Sequence, residues 1–208
     1  TVLGTVSHQH IYGLLFRVLW PLAAGRPIAS RGFFHEALLA AMEGPTVLVT
    51  SPAHLKRLPE GLDWAHARKH LRAVFSSGGA LDAEAAAQAA LRLGQAPIEV
   101  YGSSETGGVA WRRSDGSDAA WTPLRGVRWR SHEGHLEVAS PHLPDDAWHR
   151  TADLVEPAPH GGFRLCGRAD RIVKVEERRV SLTALEHALA SHPAVAEARV
   201  VLLQGARI

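Results

Sequence analysis

Residues 71–108 read LRAVFSSGGALDAEAAAQAALRLGQAPIEVYGSSETGG, and this stretch decides the fold of the chain. Two short runs with branched and aromatic residues, 71–75 and 97–101, enclose an alanine-rich segment, 83–93. An aspartate directly precedes that segment and a glycine follows it, which are the residues that commonly cap and end a helix. The pattern therefore predicts strand, helix and strand.

The same alternation extends toward the N terminus. Apolar residues recur at helical spacing over 11–20 until Pro21, which we expect to end the helix. A second helical segment, 33–42, leads into the β-branched run 46–50. Alternating units of this kind predict an α/β region over residues 1–108, with a parallel sheet and flanking helices.

The pattern changes after residue 108. Short strands are predicted at 127–130, 135–138 and 162–165, and glycine-containing turns separate them. We therefore expect an antiparallel β subdomain over residues 109–169.

The last part of the chain predicts a third region. A hairpin over 172–180, a helix capped by Ser181 and a strand over 198–203 form the start of a small α+β C-terminal domain at 170–208.

Composition narrows the class of protein. The 208 residues are 46% hydrophobic and carry a formal net charge of +2, without a dense basic run interleaved with aromatic residues, so nucleic-acid binding is not expected. A single cysteine excludes an internal disulfide. Neither a secretory segment nor an apolar run near twenty residues occurs, so we expect a cytoplasmic protein without a membrane span.

The segment 101–108, YGSSETGG, combines glycines, hydroxyls and the carboxylate of Glu105 after a predicted strand. In parallel sheets, ligands bind beyond the carboxyl ends of the strands. Backbone amides and hydroxyls can hold a phosphate, and a carboxylate among phosphates commonly binds a divalent cation. A glycine- and serine-rich surface turn explains the same composition equally well.

A family resemblance rests on motifs that follow one another in order. Residues 101–107 resemble the Y-G-x-T-E signature of the adenylate-forming superfamily, which includes acyl-CoA synthetases, peptide-synthetase adenylation domains and luciferases. Residues 151–153 resemble T-G-D, and 167–170 match G-R-x-D. Residues 171–181 resemble K-I-x-G-x-R-V-S, and 192–198 are similar to H-P-x-V-x-E-A.

The resemblance implies an activity and its cofactors. A carboxylic acid, fatty or aryl, would attack Mg²⁺-bound ATP to give an acyl-adenylate. The acyl group would then pass to the thiol of CoA or of the phosphopantetheine arm of a carrier protein. A non-catalytic nucleotide-binding or scaffold module with this fold is the alternative.

The resemblance also implies catalytic roles in the first motif. Ser104 would contact the α-phosphate, and Glu105 would bind Mg²⁺ between phosphate oxygens. The nucleotide-binding segment would include Tyr101, Gly102 and Ser103.

Further nucleotide contacts are implied elsewhere in the chain. Asp153 would accept hydrogen bonds from the ribose hydroxyls, and Arg168 would support the same sugar. Gly78 and Gly79 would let the backbone approach the nucleotide. Considered without the motifs, Asp153 is more simply a turn residue and Arg168 a member of a surface ion pair.

The acid and the hinge have their own implied residues. His10, Ser77 and Gly107 would line the substrate pocket, whereas Asp170 and Lys174 would lie at a hinge before the C-terminal domain. The His-x-His pair that includes His10 could instead bind a metal, but no second cluster accompanies it.

Parts of the family pattern are missing or changed. We expect a glycine-rich phosphate loop before Thr1 and a catalytic lysine after Ile208, so this chain is expected to be a nearly inactive fragment. Ala152 replaces the glycine of T-G-D, and Glu177 replaces a glycine of the fourth motif. The second change puts the transfer to a thiol in doubt.

Overall fold

The structure is a computed structural model that describes residues 1–29, 31–114, 119–175, 178–192, 194–195, 197–201 and 203. The chain forms two compact units. The first contains Thr1–Val127 and Ser140–Asp146, and the second contains Arg128–Ala139 and Ala147–Ile208. The three-part division at residues 108 and 169 stays a prediction.

A six-stranded mixed sheet is the centre of the first unit. Its strands, in spatial order, are β1 (Val2–Gly4), β2 (Thr46–Thr50), β3 (Leu71–Ser76), β4 (Ile98–Ser103), β5 (Gly107–Arg113) and β6 (Thr122–Pro123). The first four strands run parallel, and β5 and β6 are antiparallel to their neighbours. The predicted α/β fold with a parallel sheet is confirmed.

Helices connect the parallel strands. They are α1 (Ile11–Leu14), α2 (Trp20–Ala23), α3 (His35–Ala40), α4 (Pro52–Leu55), α5 (Trp64–His70) and α6 (Ala83–Leu93). Leu38, Met42, Leu48 and Val74 are fully buried where helices pack on the sheet. Burial of such apolar side chains supplies the main favourable term in folding.

The predicted end of the first helix at Pro21 is wrong. A π-helical stretch, Leu15–Leu19, joins α1 to α2, and the helix continues through Pro21 to Ala23. Proline lacks an N–H and crowds the carbonyl one turn earlier in an ordinary helix. The wider π turn changes the hydrogen-bond pattern directly before the proline, so the helix accommodates it.

Helix α6 begins and ends where its sequence predicts. The carboxylate of Asp82 accepts a hydrogen bond from the backbone N of Ala85 at 2.8 Å. Gly94 ends the helix with a φ of 74°, and its N–H donates to the carbonyl of Ala90 at 2.8 Å. A Cβ at Gly94 would lie 2.7 Å from side-chain carbons of Arg68, so glycine is required there.

The Gly94→Ala substitution should lower the free energy of unfolding by about 1–2 kcal/mol, the cost of a left-handed conformation for an L-residue. Chemical denaturation measures it. The matched control is Gly61→Ala, because a Cβ at Gly61 meets nothing within 4 Å. The control should change the free energy of unfolding by less than about 0.5 kcal/mol. Equal losses in the two variants would contradict this account of the helix end.

The second unit is built on an antiparallel sheet with the spatial order β10-β9-β8-β7. Its strands are β7 (Arg128–His132), β8 (His135–Ala139), β9 (His149–Pro157) and β10 (Phe163–Arg168). A hairpin of β11 (Ile172–Val175) and β12 (Arg178–Ser181) follows, and then helix α7 (Leu182–Ala190). The predicted antiparallel strands and the hairpin are confirmed.

The C-terminal part agrees with its prediction only in part. Ser181 caps α7, because its Oγ accepts a hydrogen bond from the N–H of Ala184 at 3.2 Å. The strand predicted over 198–203 is wrong for the described residues, 198–201 and 203, which have no strand pairing. The N–H of Val200 instead donates to the Glu186 carboxylate at 2.9 Å, so that backbone group is satisfied without a ladder.

Within the described part of the chain, no helix combines the length and the apolar character that a membrane crossing requires.

Candidate active site

The carboxyl ends of β2, β3 and β4 bring their following loops to one edge of the first sheet. Hydrogen bonds tie these loops to neighbouring elements. The hydroxyls of Thr5 and Thr50 lie 2.8 Å apart, and Ser77 donates from its Oγ to the carbonyl of Val100 at 2.7 Å. The loop that follows β3 is therefore anchored to β4.

The turn between β4 and β5 is tightly closed. The N–H of Ser103 donates to Oγ1 of Thr106 at 3.1 Å, and the N–H of Thr106 donates to Oγ of Ser103 at 3.2 Å. A Cβ at Gly102 would lie 2.1 Å from the carbonyl oxygen of Gly107, so only glycine fits this crossing point. Thr106 is buried, whereas Ser104 and Glu105 are exposed at the tip.

Replacement of Thr106 by valine keeps the shape of the side chain but removes the hydroxyl that Ser103 contacts. We expect the free energy of unfolding to fall by about 1–2 kcal/mol, since a partly buried N–H loses its acceptor. Denaturant titration measures the change. Thr122→Val, at an exposed position of β6, is the control and should be nearly neutral. A neutral Thr106→Val would show that these hydrogen bonds do not hold the turn.

A cavity of about 680 Å³ lies beside this turn. Its size is that of a typical small-molecule site. Apolar and aromatic side chains of the first helix and of strands β3 to β5 form most of its wall, and the turn and neighbouring loops complete it. The lining residues include Ile11, Tyr12, Leu15, Phe16, Phe75, Ile98, Val100, Trp111, Arg113, Leu124 and His142.

An aromatic cluster gives one wall of the cavity a defined shape. The ring of Phe16 lies 5.0 Å from those of Tyr12 and Phe75, measured between centroids. Burial raises the pKa of the Tyr12 hydroxyl well above its ordinary 10.0. Tyr12 therefore remains a neutral phenol at physiological pH.

The predicted site residues of the first unit divide into two groups. Those that line the cavity are Ser77, Gly102, Ser103, Ser104, Glu105 and Gly107. The other group lies nearby in the chain but not in the cavity wall: His10, Gly78, Gly79 and Tyr101. His10 is exposed and directly precedes Ile11, which lines the cavity.

Tyr101 and Gly78 have different surroundings from the cavity residues. The Tyr101 ring packs against that of Trp121, with centroids 5.5 Å apart. A Cβ on Gly78 would meet no atom within 4 Å, so the space above this part of the loop is open.

Sequence patterns did not single out several lining residues. Tyr12 and Phe16 are at helical spacing, which could have assigned them to one helix face. Trp111, Leu124 and His142 reach the cavity through strand pairing and chain folding, and no local pattern marks them.

The remaining predicted residues belong to the second unit. Asp153 lies in β9 and Arg168 ends β10, and the two are direct partners in the strand register. Nη1 of Arg168 lies 3.7 Å from Oδ1 of Asp153. Arg168 also makes two hydrogen bonds to Asp170, at 3.0 and 2.6 Å. Lys174 lies in β11, opposite Arg179.

Glu177, which replaces a family glycine, lies outside the described residues.

The hydrogen bonds from Arg168 lower the pKa of Asp170 below its ordinary 3.8, and the positive charge of Arg168 adds to the effect. Because the folded-state pKa is depressed, the stabilisation from this pair is present above the unfolded pKa. It is lost as pH falls through the folded value.

Carboxyl NMR titration should show Asp170 titrating below 3.8. Arg168→Gln should return its midpoint toward the ordinary value. The control is Arg150→Gln, which removes an ion pair with Glu133 and should leave the Asp170 midpoint unchanged. If Arg168→Gln left the Asp170 midpoint unchanged, Arg168 would not be the cause of the lowered pKa.

A turn rich in glycine and hydroxyl groups lies beside a largely apolar cavity on a mostly parallel sheet, so the fold is that of an α/β protein with a cavity of small-molecule size. The sequence pattern of the family described as AMP-binding enzyme matches residues 1–133. The chain belongs to this family of AMP-binding enzymes, and the resemblance drawn from its motifs is confirmed.

Similar proteins are consistent with the family. A 4-coumarate–CoA ligase of Halorhodospira halophila is 29% identical over 205 residues, which cover 94% of this chain and 48% of that protein. The structure of ATP-bound MatB from Rhodopseudomonas palustris shares the fold, with a TM-score of 0.82 at 24% identity, covering 96% of this chain and 46% of that one.

A further solved structure is a malonyl-CoA ligase ternary product complex with methylmalonyl-CoA and AMP bound. It aligns with a TM-score of 0.71 at 28% identity over 96% of this chain and 51% of that chain. The chain thus spans about half the length of the relatives it matches.

Proposed function

We propose that this family member takes part in the ATP-dependent activation of a carboxylic acid to an acyl-adenylate. The observation that carries the proposal is the position of the 103–107 turn, whose hydroxyls and carboxylate border a largely apolar cavity. An acid whose apolar body occupied the cavity would present its carboxylate to a phosphate bound at the turn. Such positioning is a large part of catalysis in phosphoryl chemistry.

Ser104 and Glu105 are the proposed catalytic residues. Both are exposed at the tip of a turn that hydrogen bonds hold in place. Ser104 would donate to the α-phosphate, and Glu105 would bind Mg²⁺.

The donor chemistry fits this cation, because Mg²⁺ prefers oxygen ligands and is commonly held by one or two carboxylates together with phosphates and water. Among the described residues, no group of three or more potential metal-binding side chains occurs.

The proposed nucleotide contacts extend beyond the turn. Asp153 would accept hydrogen bonds from the ribose hydroxyls, and Arg168 would support them. Gly78 and Gly79 would lie against the nucleotide, which the open space above Gly78 permits. Tyr101, Gly102 and Ser103 would complete the proposed nucleotide-binding segment.

The second half-reaction is proposed to transfer the acyl group to a thiol, either of CoA or of a carrier protein's phosphopantetheine. Asp170 and Lys174 would belong to the hinge for this step. The Arg168–Asp170 hydrogen bonds would then be broken or remade as the hinge moves.

The acid itself is proposed to be a fatty or aryl acid. Aromatic and branched side chains surround most of the cavity, so a predominantly apolar body would be favoured there. His10, Ser77 and Gly107 are the proposed substrate-pocket residues, and Ser77 and Gly107 line the cavity.

The decisive measurement is acid-dependent exchange of labelled pyrophosphate into ATP, made on the protein as it occurs in its source organism with fatty and aryl acids. Glu105→Gln should lower the exchange rate about 100-fold, because charge on the phosphates loses a metal ligand. Glu84→Gln, an exposed acid in the first turn of α6, should leave the rate unchanged.

Two results would count against the proposal. Equal exchange rates in the Glu105 and Glu84 variants would remove Glu105 from catalysis. ATP binding without exchange for any acid would instead support a non-catalytic nucleotide-binding module.

A further inference from the structure

Glu99 is a buried carboxylate on the opposite face of β4 from the cavity. Its neighbours Ile98 and Val100 line the cavity, and side chains alternate between the faces of a strand. Glu99 is only 2% exposed. A charged side chain is rarely buried to this extent unless it has strong partners.

The first partner is Arg112 on the antiparallel strand β5, directly opposite Glu99 in the register. Two guanidinium nitrogens of Arg112, Nε and Nη2, each lie 2.8 Å from Oε1 of Glu99. This ion pair joins β4 to β5 on the side of the sheet away from the cavity. The turn at 103–107 connects the same two strands.

The second partner is the backbone N–H of Leu81, which donates a longer hydrogen bond of 3.4 Å to Oε2 of Glu99. Leu81 is buried and follows the loop that contains Gly78 and Gly79. One carboxylate therefore contacts both the loop after β3 and the strand pair that carries the turn.

Arg112 extends this connection to Tyr101. Its guanidinium lies 4.5 Å from the ring centroid of Trp121, at cation–π distance. Trp121 is 6% exposed and packs against Tyr101. Contacts thus run without interruption from Glu99 through Arg112 and Trp121 to the first residue of the nucleotide-binding segment.

A buried ion pair of this kind is a weak source of net stability. Desolvation of two charges offsets most of their attraction, and apolar residues of similar volume often stabilise a core equally well or better. A planar guanidinium held by a carboxylate does fix the orientation of its neighbours. An ion pair that fixes the orientation of its neighbours can hold a binding loop in one conformation.

We propose that Glu99 is a positioning residue for the nucleotide site, acting through Arg112 and Trp121 on Tyr101 and through Leu81 on the loop of Gly78 and Gly79. This inference rests on the proposed function, because it takes both segments to be part of the nucleotide site.

The test compares Glu99→Gln with the wild-type chain by titration calorimetry with Mg²⁺-ATP and by amide hydrogen exchange. Glutamine keeps the shape and an acceptor for Leu81 but removes the charge that orients Arg112. We expect about a 10-fold weaker affinity for Mg²⁺-ATP. We also expect faster exchange at the N–H groups of Ser103 and Thr106, whose hydrogen bonds close the turn.

The matched control is Glu186→Gln. Glu186 is 7% exposed, pairs with Arg171 and accepts a hydrogen bond from the N–H of Val200, so it reproduces the chemistry of Glu99 in the second unit. It should change neither the ATP affinity nor exchange at the turn.

A double variant, Glu99→Gln with Arg112→Gln, separates positioning from folding. It leaves no unpaired buried charge, so thermal stability should recover relative to the single variant while ATP binding stays weak. If the double variant regains wild-type affinity, a purely structural role is shown and the inference fails.

The remaining outcomes distinguish this inference from the proposed function. A wild-type chain that binds no nucleotide contradicts the proposed nucleotide site, and exchange at Ser103 and Thr106 then still tests the support of the turn. Unchanged affinity and unchanged exchange in Glu99→Gln would overturn the inference and leave the proposed function standing.

Discussion

The reversal of the chain between β4 and β5 is the constraint on which the candidate site depends. Parallel neighbours require long crossover connections, but an antiparallel neighbour needs only a tight turn. The chain makes that turn within Ser103–Gly107, at the edge where the parallel strands end. Its hydroxyls and carboxylate thereby reach the place where α/β proteins bind ligands. Position 102 must be glycine, because a Cβ there would lie 2.1 Å from the carbonyl oxygen of Gly107.

Side chains along β4 point alternately to the two faces of the sheet, and the two faces have different roles. Ile98 and Val100 face the cavity, whereas Glu99 and Tyr101 contact Arg112 and Trp121. An apolar cavity and a buried ion pair therefore lie on either side of one strand. The buried carboxylate of Glu99 therefore does not face the apolar cavity. Its hydrogen bond with Leu81 also anchors the loop that follows β3.

Much of the fold follows from local chemistry. The strand over 46–50, the capped helix α6 and the cap of α7 depend on residues within a few positions of one another, so the sequence predicts them correctly. The wrong predictions fall where contacts between distant residues, or unusual backbone geometry, determine the structure. Pro21 is accommodated by a π turn, and Val200 is satisfied by Glu186 rather than by a strand.

The candidate site shows the same division. The ordered motifs were sufficient to identify the family, and the contiguous residues 101–107 were sufficient to single out the turn that borders the cavity. The composition of the cavity wall and the contacts of Glu99 with Arg112 and Leu81 became evident only from the tertiary structure. Trp111, Leu124 and Arg112 acquire their partners by strand pairing, which brings together side chains that no local pattern relates.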